Sequence, residues 1–362
     1  MRFSVVRTGE TCHSFFVDHV AQPLRIAQVA PLWSAIPPHT YGGIESLMYS
    51  LIEKLTERGH QVTLFATGDC RTSAELRPVM ETSLTERMMR NEASWQEYYV
   101  NTAVAQALAS AHEFDVIHFH IGCQWIPFLP LVKTRSLLTL HSYLCPDDHW
   151  IIKQYPQVNL AAISKAQTQG LRDIPVVYNA CDFSAIPFTE TRGNYLAFLG
   201  RMSPQKNPAG AIEVARKAGM PIVLAGEPQS DKEKVYFQQV VKPLLKEPGV
   251  EYLGGANFEQ KCKLLGGAAA LLFPITWPEP FGLVMIEAMA CGTPVLALGN
   301  GSVPELVENG VTGYFADDLT GLEKWLPETL ALDRAAIRAA AAQRFDIPRL
   351  VDDYLQLYEP LG

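Results

Sequence analysis

The chain has 362 residues, 48% of them apolar, and a formal net charge of −8. That length is enough for two domains of ordinary size with ample core, and it excludes a single small domain. The acidic balance, with no run of Lys or Arg, excludes a nucleic-acid footprint or a strongly basic membrane face, while weak or apolar membrane docking stays open.

Residues 1–22 mix Arg2, Arg7, Glu10, Asp18 and His19 without the apolar core of a secretory signal. They read as a loosely held tail or the product of a start codon placed too early. From Arg25 strands and helices alternate. RIAQVAP is followed by a helix over Gly43–Arg58, then QVTLFAT from Gln61, a helical stretch near Trp95–Ala111, and DVIHFH from Asp115. LLTLH ending at His141, LAAIS ending at Ser164 and VVYNA ending at Ala180 continue the series. Phe183–Asn194 (FSAIPFTETRGN) has the turn-forming, polar character of a linker, which sets the expected domains at 23–185 and 186–362.

A second run begins with YLAFLGRMS at Tyr195. It goes on through a helix over Pro208–Ala218, PIVLAGE, a helix over Val235–Lys246, VEYLGG, ALLFPI, PVLALG from Pro294 and TGYFADD from Thr312. Apolar strands alternating with amphipathic helices predict parallel sheets covered on both faces, an α/β fold of two doubly wound, Rossmann-like domains. Such domains bind ligands beyond the carboxyl ends of their strands, so a cleft between facing strand ends is expected. Seven cysteines stand singly, with no C-x-x-C spacing, which points to reduced thiols and a cytoplasmic location. No stretch approaches about 20 uninterrupted apolar residues, so no transmembrane helix is expected.

The most informative segment is WPEPFGLVMIEAMACGTP, Trp277–Pro294, in which Glu279 and Glu287 stand eight residues apart across a strand-to-helix turn. The first helical amides, at Phe281, Gly282 and Leu283, have no internal acceptor and carry the positive end of the helix dipole, a ready site for a diphosphate. Carboxylates on either side suit the hydroxyls of a sugar and a ribose, so the pattern fits a nucleotide sugar. The plain alternative is two acids that only stabilise a helix N-terminus.

This E-x7-E segment, within PEPFGLVMIEAMACGTPV, resembles the retaining glycosyltransferases of the GT-B fold, family four. The resemblance implies that Glu279 lies against the donor sugar, that Glu287 binds the ribose, and that the amides of Phe281, Gly282 and Leu283 hold the diphosphate. It also implies donor contacts for Gly42 and Gly43 in the loop WSAIPPHTYGGIE, phosphate contacts for Arg201 and Lys206 in GRMSPQK, and a place for His141 near the reaction centre. Without it, Gly-Gly before a helix reads equally as a turn or as a site, the two cations are solvated surface bases, and His141, like His118 and His120, is a structural histidine at a strand end. Asn179 in VVYNACD matches a family segment less well, because Ala180 and Tyr178 replace an expected glycine and proline. Leu253, within Tyr252–Gly254, is placed near the nucleotide base from its fold position. Trp125–Val132 (WIPFLPLV) reads as buried core, with an acceptor or membrane surface as the alternative. The last helix, about 347–358, resembles one that crosses back to the first domain; a plain C-terminal cover is the other reading.

The implied reaction is transfer of a hexosyl unit, from a UDP sugar in preference to a GDP sugar, with retention of configuration and without metal or other cofactor. The acceptor is unspecified: a saccharide, a lipid-linked glycan or a small metabolite. A nucleotide-sugar epimerase of the same fold and a non-catalytic nucleotide-sugar sensor are the rival readings.

Overall fold

The computed structural model describes residues 22–38 and 42–359. Apart from Gln22, the tail expected over 1–22 lies outside these residues, as does the middle of the loop before Gly42. Strands β1 (Arg25–Val29), β2 (Gln61–Thr67), β3 (Glu75–Met80), β4 (Val116–Phe119), β5 (Arg135–Leu140) and β6 (Asn159–Ala162) form one parallel sheet in the order β3-β2-β1-β4-β5-β6. A second is built from β7 (Leu196–Leu199), β8 (Ile222–Ala225), β9 (Val250–Tyr252), β10 (Ala270–Phe273), β11 (Val295–Leu298) and β12 (Gly313–Ala316), ordered β12-β11-β10-β7-β8-β9.

The two sheets are wound identically. Each starts at a central strand, moves outward for two strands, then crosses back to the other side of the first. The reversal falls between β1 and β4 in one sheet and between β7 and β10 in the other, and these are the points where a crevice opens at the carboxyl ends. The burial of β10 and β11 at every position shows why such strands read as continuous apolar runs, with helices covering both faces.

The helix Ile347–Tyr358 leaves the second sheet and buries Ile347, Leu350, Val351, Tyr354 and Tyr358 in the same core as Ile26, Leu47, Leu51 and Val62 of the first. Asp346 caps it through Ile347 N at 2.8 Å. Beneath the second domain, the buried Arg334 donates to the carbonyls of Thr189, Gly266, Ala268 and Cys291 and to Thr293 Oγ1. It thereby ties the linker to the C-terminal ends of two helices, Phe258–Gly267 and Leu283–Ala290.

Among the strands, two segments differ from the sequence expectation, and the helix expected over Val235–Lys246 is two helical pieces, Asp231–Tyr236 and Lys242–Leu244, joined by a π turn over Phe237–Val241. VVYNA is not a strand but a single bridge from Val176 to Ala162, since Pro175 has no N–H to extend the ladder. β3 was not among the expected strands; it carries Pro78, and as an edge strand it tolerates the missing donor.

Candidate functional site

At the end of β10 the chain turns through Trp277 and Glu279 into the helix Leu283–Ala290. Gly282 stands just before that helix with φ +85°, a left-handed conformation, and a Cβ there would come within 2.8 Å of Met285 Cε and 3.1 Å of the Phe273 ring. The left-handed φ is what demands glycine, while the Met285 side chain could move aside for a Cβ. The turn is fixed from behind by Ser302, whose N–H donates to Glu279 O at 2.9 Å and whose hydroxyl donates to Phe281 O at 2.7 Å.

The Glu279 carboxylate is buried and accepts from Lys206 Nζ at 2.5 Å and from Trp277 Nε1 at 2.8 Å. Both bonds fall on Oε2, and Oε1 makes none among the described residues. Lys206 comes from the loop after β7, and its ammonium also lies 5.5 Å from the Phe273 ring centroid and 5.8 Å from that of Trp277. Arg201, from the same loop, donates to the buried Glu233 at 2.6 Å. Glu233 in turn accepts from Gln229 N and Ser230 N, so the guanidinium is anchored to a capped helix start. Phe281 is buried, and Leu253, just after β9, is exposed.

Glu287 accepts from Lys261 Nζ at 2.5 Å. Burial works against the Lys261 ammonium, and the Glu287 carboxylate outweighs it, so the lysine pKa lies above its ordinary value. Arg201, Lys206, Glu279 and Glu287 are thus all in opposite-charge pairs.

On the first domain the helix Gly43–Glu57 brings its start to the same place. A Cβ on Gly43 would lie 2.9 Å from Leu283 Cδ1, so the Gly-Gly turn packs directly on the first residue of the Leu283–Ala290 helix. A Cβ on Gly42 would lie 2.8 Å from Pro38 Cβ. Two residues after Gly43, the Glu45 carboxyl is buried, and desolvation raises its pKa.

Three histidines at the ends of β4 and β5 form a connected group. His141 Nε2 lies 2.8 Å from His120 Nδ1, and His120 Nε2 lies 2.7 Å from Gln28 Oε1 on β1. Gln28 Nε2 donates to Tyr358 Oη at 3.1 Å, and that hydroxyl lies 2.7 Å from His118 Nδ1. His118 Nε2 lies 2.7 Å from Thr139 Oγ1. Burial depresses all three imidazoles, His141 to about 4. His141 lines a cavity of about 310 Å³ with Trp33, Trp125, Tyr143 and Asp148. An adjoining cavity of about 250 Å³ lies between the domains, lined by Tyr143, His149 and Gln167 on one side and Pro278, Glu279 and Gly301 on the other.

The structure therefore brings Lys206 against Glu279 and Gly43 against Leu283; Glu279 lines the cavity between the domains, with His141 in the neighbouring one. Asn179 is instead buried, its Oδ1 without a partner among the described residues. Trp125–Val132 divides: Trp125 and Leu129 are buried, and Leu131 is exposed. Sequence reasoning missed Lys261, Glu233, Gln28, Tyr358 and Glu305, each defined by a partner distant in sequence. Glu305 joins the domains: its carboxylate accepts from Lys165 N at 2.8 Å, Ala166 N at 2.6 Å and Tyr178 Oη at 3.1 Å. Among the described residues no helix is long and apolar enough to cross a membrane, and no three His, Cys, Asp or Glu are grouped as metal ligands.

Comparison with known proteins agrees with this architecture. Residues 182–320 match the family described as glycosyl transferases group 1, and residues 41–182 match glycosyltransferase family 4. The chain is 29% identical over 235 residues to the D-inositol 3-phosphate glycosyltransferase of Mycolicibacterium smegmatis, a match covering 63% of this chain and 50% of that protein. It is also 25% identical to the glycogen synthase of Mycobacterium tuberculosis, over 88% of this chain and 89% of that one. Among solved structures, AviGT4, a glycosyltransferase of avilamycin A biosynthesis, superposes with a TM-score of 0.69 at 24% identity, covering 93% of this chain and 97% of the other. Anabaena HepE, solved with UDP and glucose, gives a TM-score of 0.71 at 20% identity, covering 93% of this chain and 100% of the other. With two adjoining family matches that together span residues 41–320, and the fold of GT-B enzymes, the chain belongs to the group 1 glycosyl transferases, glycosyltransferase family 4.

Proposed function

We propose that this glycosyltransferase moves a hexosyl unit from a nucleotide diphosphate sugar, with UDP preferred over GDP, to a saccharide, lipid-linked glycan or small-metabolite acceptor, retaining the anomeric configuration and using no metal. The observation that carries this reading is the meeting of Glu279 and Lys206 at 2.5 Å beside the start of the Leu283–Ala290 helix. A departing diphosphate accumulates negative charge, and fixed cations and amide dipoles aimed at it lower the barrier. Lys206, Arg201 and the first amides of that helix supply them. Glu279, with Oε1 open, takes a hydroxyl of the transferred sugar and stabilises the oxocarbenium-like centre. Glu287 takes the ribose, sharing it with Lys261, and Leu253 borders the base.

In this reading the two glutamates are not a flanking acid and base of the kind glycoside hydrolases use. The leaving diphosphate itself receives the acceptor proton on the same face of the sugar. The binding of UDP and glucose by a protein of the same fold supports UDP-glucose as the first donor to try. The match to the inositol phosphate enzyme covers half that protein, so its acceptor is not carried over.

The test is a thermal-shift panel of nucleotide sugars, in which a ligand of the folded state raises the midpoint with the logarithm of its concentration. Acceptor-dependent nucleotide release follows, with NMR of the product anomer. A rise with UDP sugars and an unchanged anomer support the proposal. Inverted product, or donor epimerised without acceptor, overturns it.

A further inference from the structure

The polar series beneath His141 takes its direction from the Gln28 amide, which turns Oε1 to His120 and Nε2 to Tyr358. Gln28 Oε1, an amide oxygen, carries no proton, so His120 must hold its own on Nε2 to make the 2.7 Å contact. A neutral imidazole has one proton. His120 Nδ1 is then an acceptor, and at 2.8 Å it requires the proton of His141 to sit on Nε2. His141 is left with a bare Nδ1, which is buried and has no partner among the described residues. The far end is compatible with this sense: Gln28 donates from Nε2 to Tyr358 Oη, that hydroxyl can donate to His118 Nδ1, and His118 can donate from Nε2 to Thr139 Oγ1.

From this geometry we infer that Gln28 and His120 are positioning residues that set the tautomer of His141, so that its Nδ1 meets the substrate as a hydrogen-bond acceptor. Its partner is a donor group, a sugar hydroxyl, and not a phosphate or carbonyl oxygen. The inference rests on the glycosyltransferase reading for the identity of that hydroxyl, but the tautomer itself does not depend on it. An unpaired buried nitrogen is costly, and binding a hydroxyl removes that cost only when the substrate presents an O–H there. Orientation of one ring by another, and of that ring by an amide, is the same device by which outer partners fix metal-bound histidines. Tyr358 comes from the terminal helix, so the helix that covers the first domain also holds the last link.

Two measurements test it. Nitrogen-15 spectra of the full-length protein labelled at histidine, with His141 assigned by difference from His141→Gln, are expected to show a protonated Nε2 and a pyridine-type Nδ1. A protonated Nδ1 overturns the assignment, whether or not any transfer activity has been found. In kinetics, His120→Phe and Gln28→Leu are expected to lower kcat by about tenfold, the worth of roughly one hydrogen bond, with donor KM little changed. His120→Asn, whose amide oxygen can still accept from His141 Nε2, is expected to recover most of that loss. Wild-type turnover in a folded His120→Phe variant overturns the positioning role, as does failure of His120→Asn to exceed it while both variants keep the parent melting temperature.

Discussion

Lys206 and Glu279, 73 residues apart in sequence, form an ion pair at 2.5 Å with both side chains largely withdrawn from solvent. A pair this enclosed differs from a surface salt bridge, because removing one partner strands the other charge. Lys206→Met is therefore expected to lower kcat by about a hundredfold or more, the range seen when one donor to a developing oxyanion is removed. Glu279→Gln keeps an oxygen and the shape but not the charge, and it is expected to abolish most turnover while nucleotide binding stays near wild type. Parallel titration calorimetry with the nucleotide and steady-state rates check both. If Glu279→Gln turned over at the wild-type rate, the role assigned to Glu279 would be wrong.

Gly282 gives a second, sharper test of the diphosphate site. Alanine there must adopt φ +85° and place its Cβ against Met285 and Phe273. A left-handed conformation alone costs roughly 1–2 kcal/mol outside glycine. The helix start is then expected to shift, and Gly282→Ala should lose more affinity for the nucleoside diphosphate, relative to wild type, than for the nucleoside alone. Equal loss for both ligands would show that the turn does not address the phosphates.

Metal dependence separates the two ways of neutralising a diphosphate. If Lys206, Arg201 and the helix amides do so, turnover with UDP-sugar after chelation by EDTA is expected to match the untreated rate, with the Lys206→Met variant no more dependent on added magnesium. A rate that falls on chelation and returns with a divalent ion would overturn the metal-free reading.

Parallel winding was legible because buried parallel strands are continuous apolar runs, as in ALLF of β10 and VLAL of β11. Glu279 stood out through the spacing of the E-x7-E segment and Lys206 through the resemblance of GRMSPQK to a family pattern; the doubly wound fold adds that both follow strand ends. The partners of those residues could not be picked out. Gln28 meets Tyr358 across 330 residues, and Lys261 meets Glu287 through a helix the periodicity did not single out. β3 carries Pro78, and a proline argues against a strand until its edge position is known.

Glu305 fastens one domain to the other through three donors, two of them backbone amides at Lys165 and Ala166. Tyr178, the third, is driven up to about 12 by burial and by the carboxylate beside it. Glu305→Ala leaves these donors without their acceptor, at a cost of roughly 1–3 kcal/mol. Hydrogen exchange should accelerate at Lys165 and Ala166 while the centres of both sheets stay protected. Unchanged protection there would mean that the contact does not hold the domains together.

His118, His120 and His141 make the fold sensitive to acid, and the sign follows from their burial. Each has its pKa lowered by desolvation, His141 to about 4. An unfolded chain takes up protons on these rings below about pH 6.5, where the folded chain still excludes them, so the unfolded state binds more protons and stability falls as pH falls. For His141 the loss runs from about pH 6.5 to about pH 4 and amounts to roughly 3 kcal/mol when the window has been crossed. The groups bonded to or stacked on His118 and His120, namely Gln28, Thr139, Tyr354 and Tyr358, are uncharged, and Asp148, which shares a cavity with His141, forms no ion pair with it. Urea denaturation at a series of pH values is therefore expected to give stability rising from about pH 4 to pH 6.5 and levelling above it. His141→Gln, which removes one titrating ring, should flatten that slope, and a stability that grew on acidification would contradict the neutral state of all three.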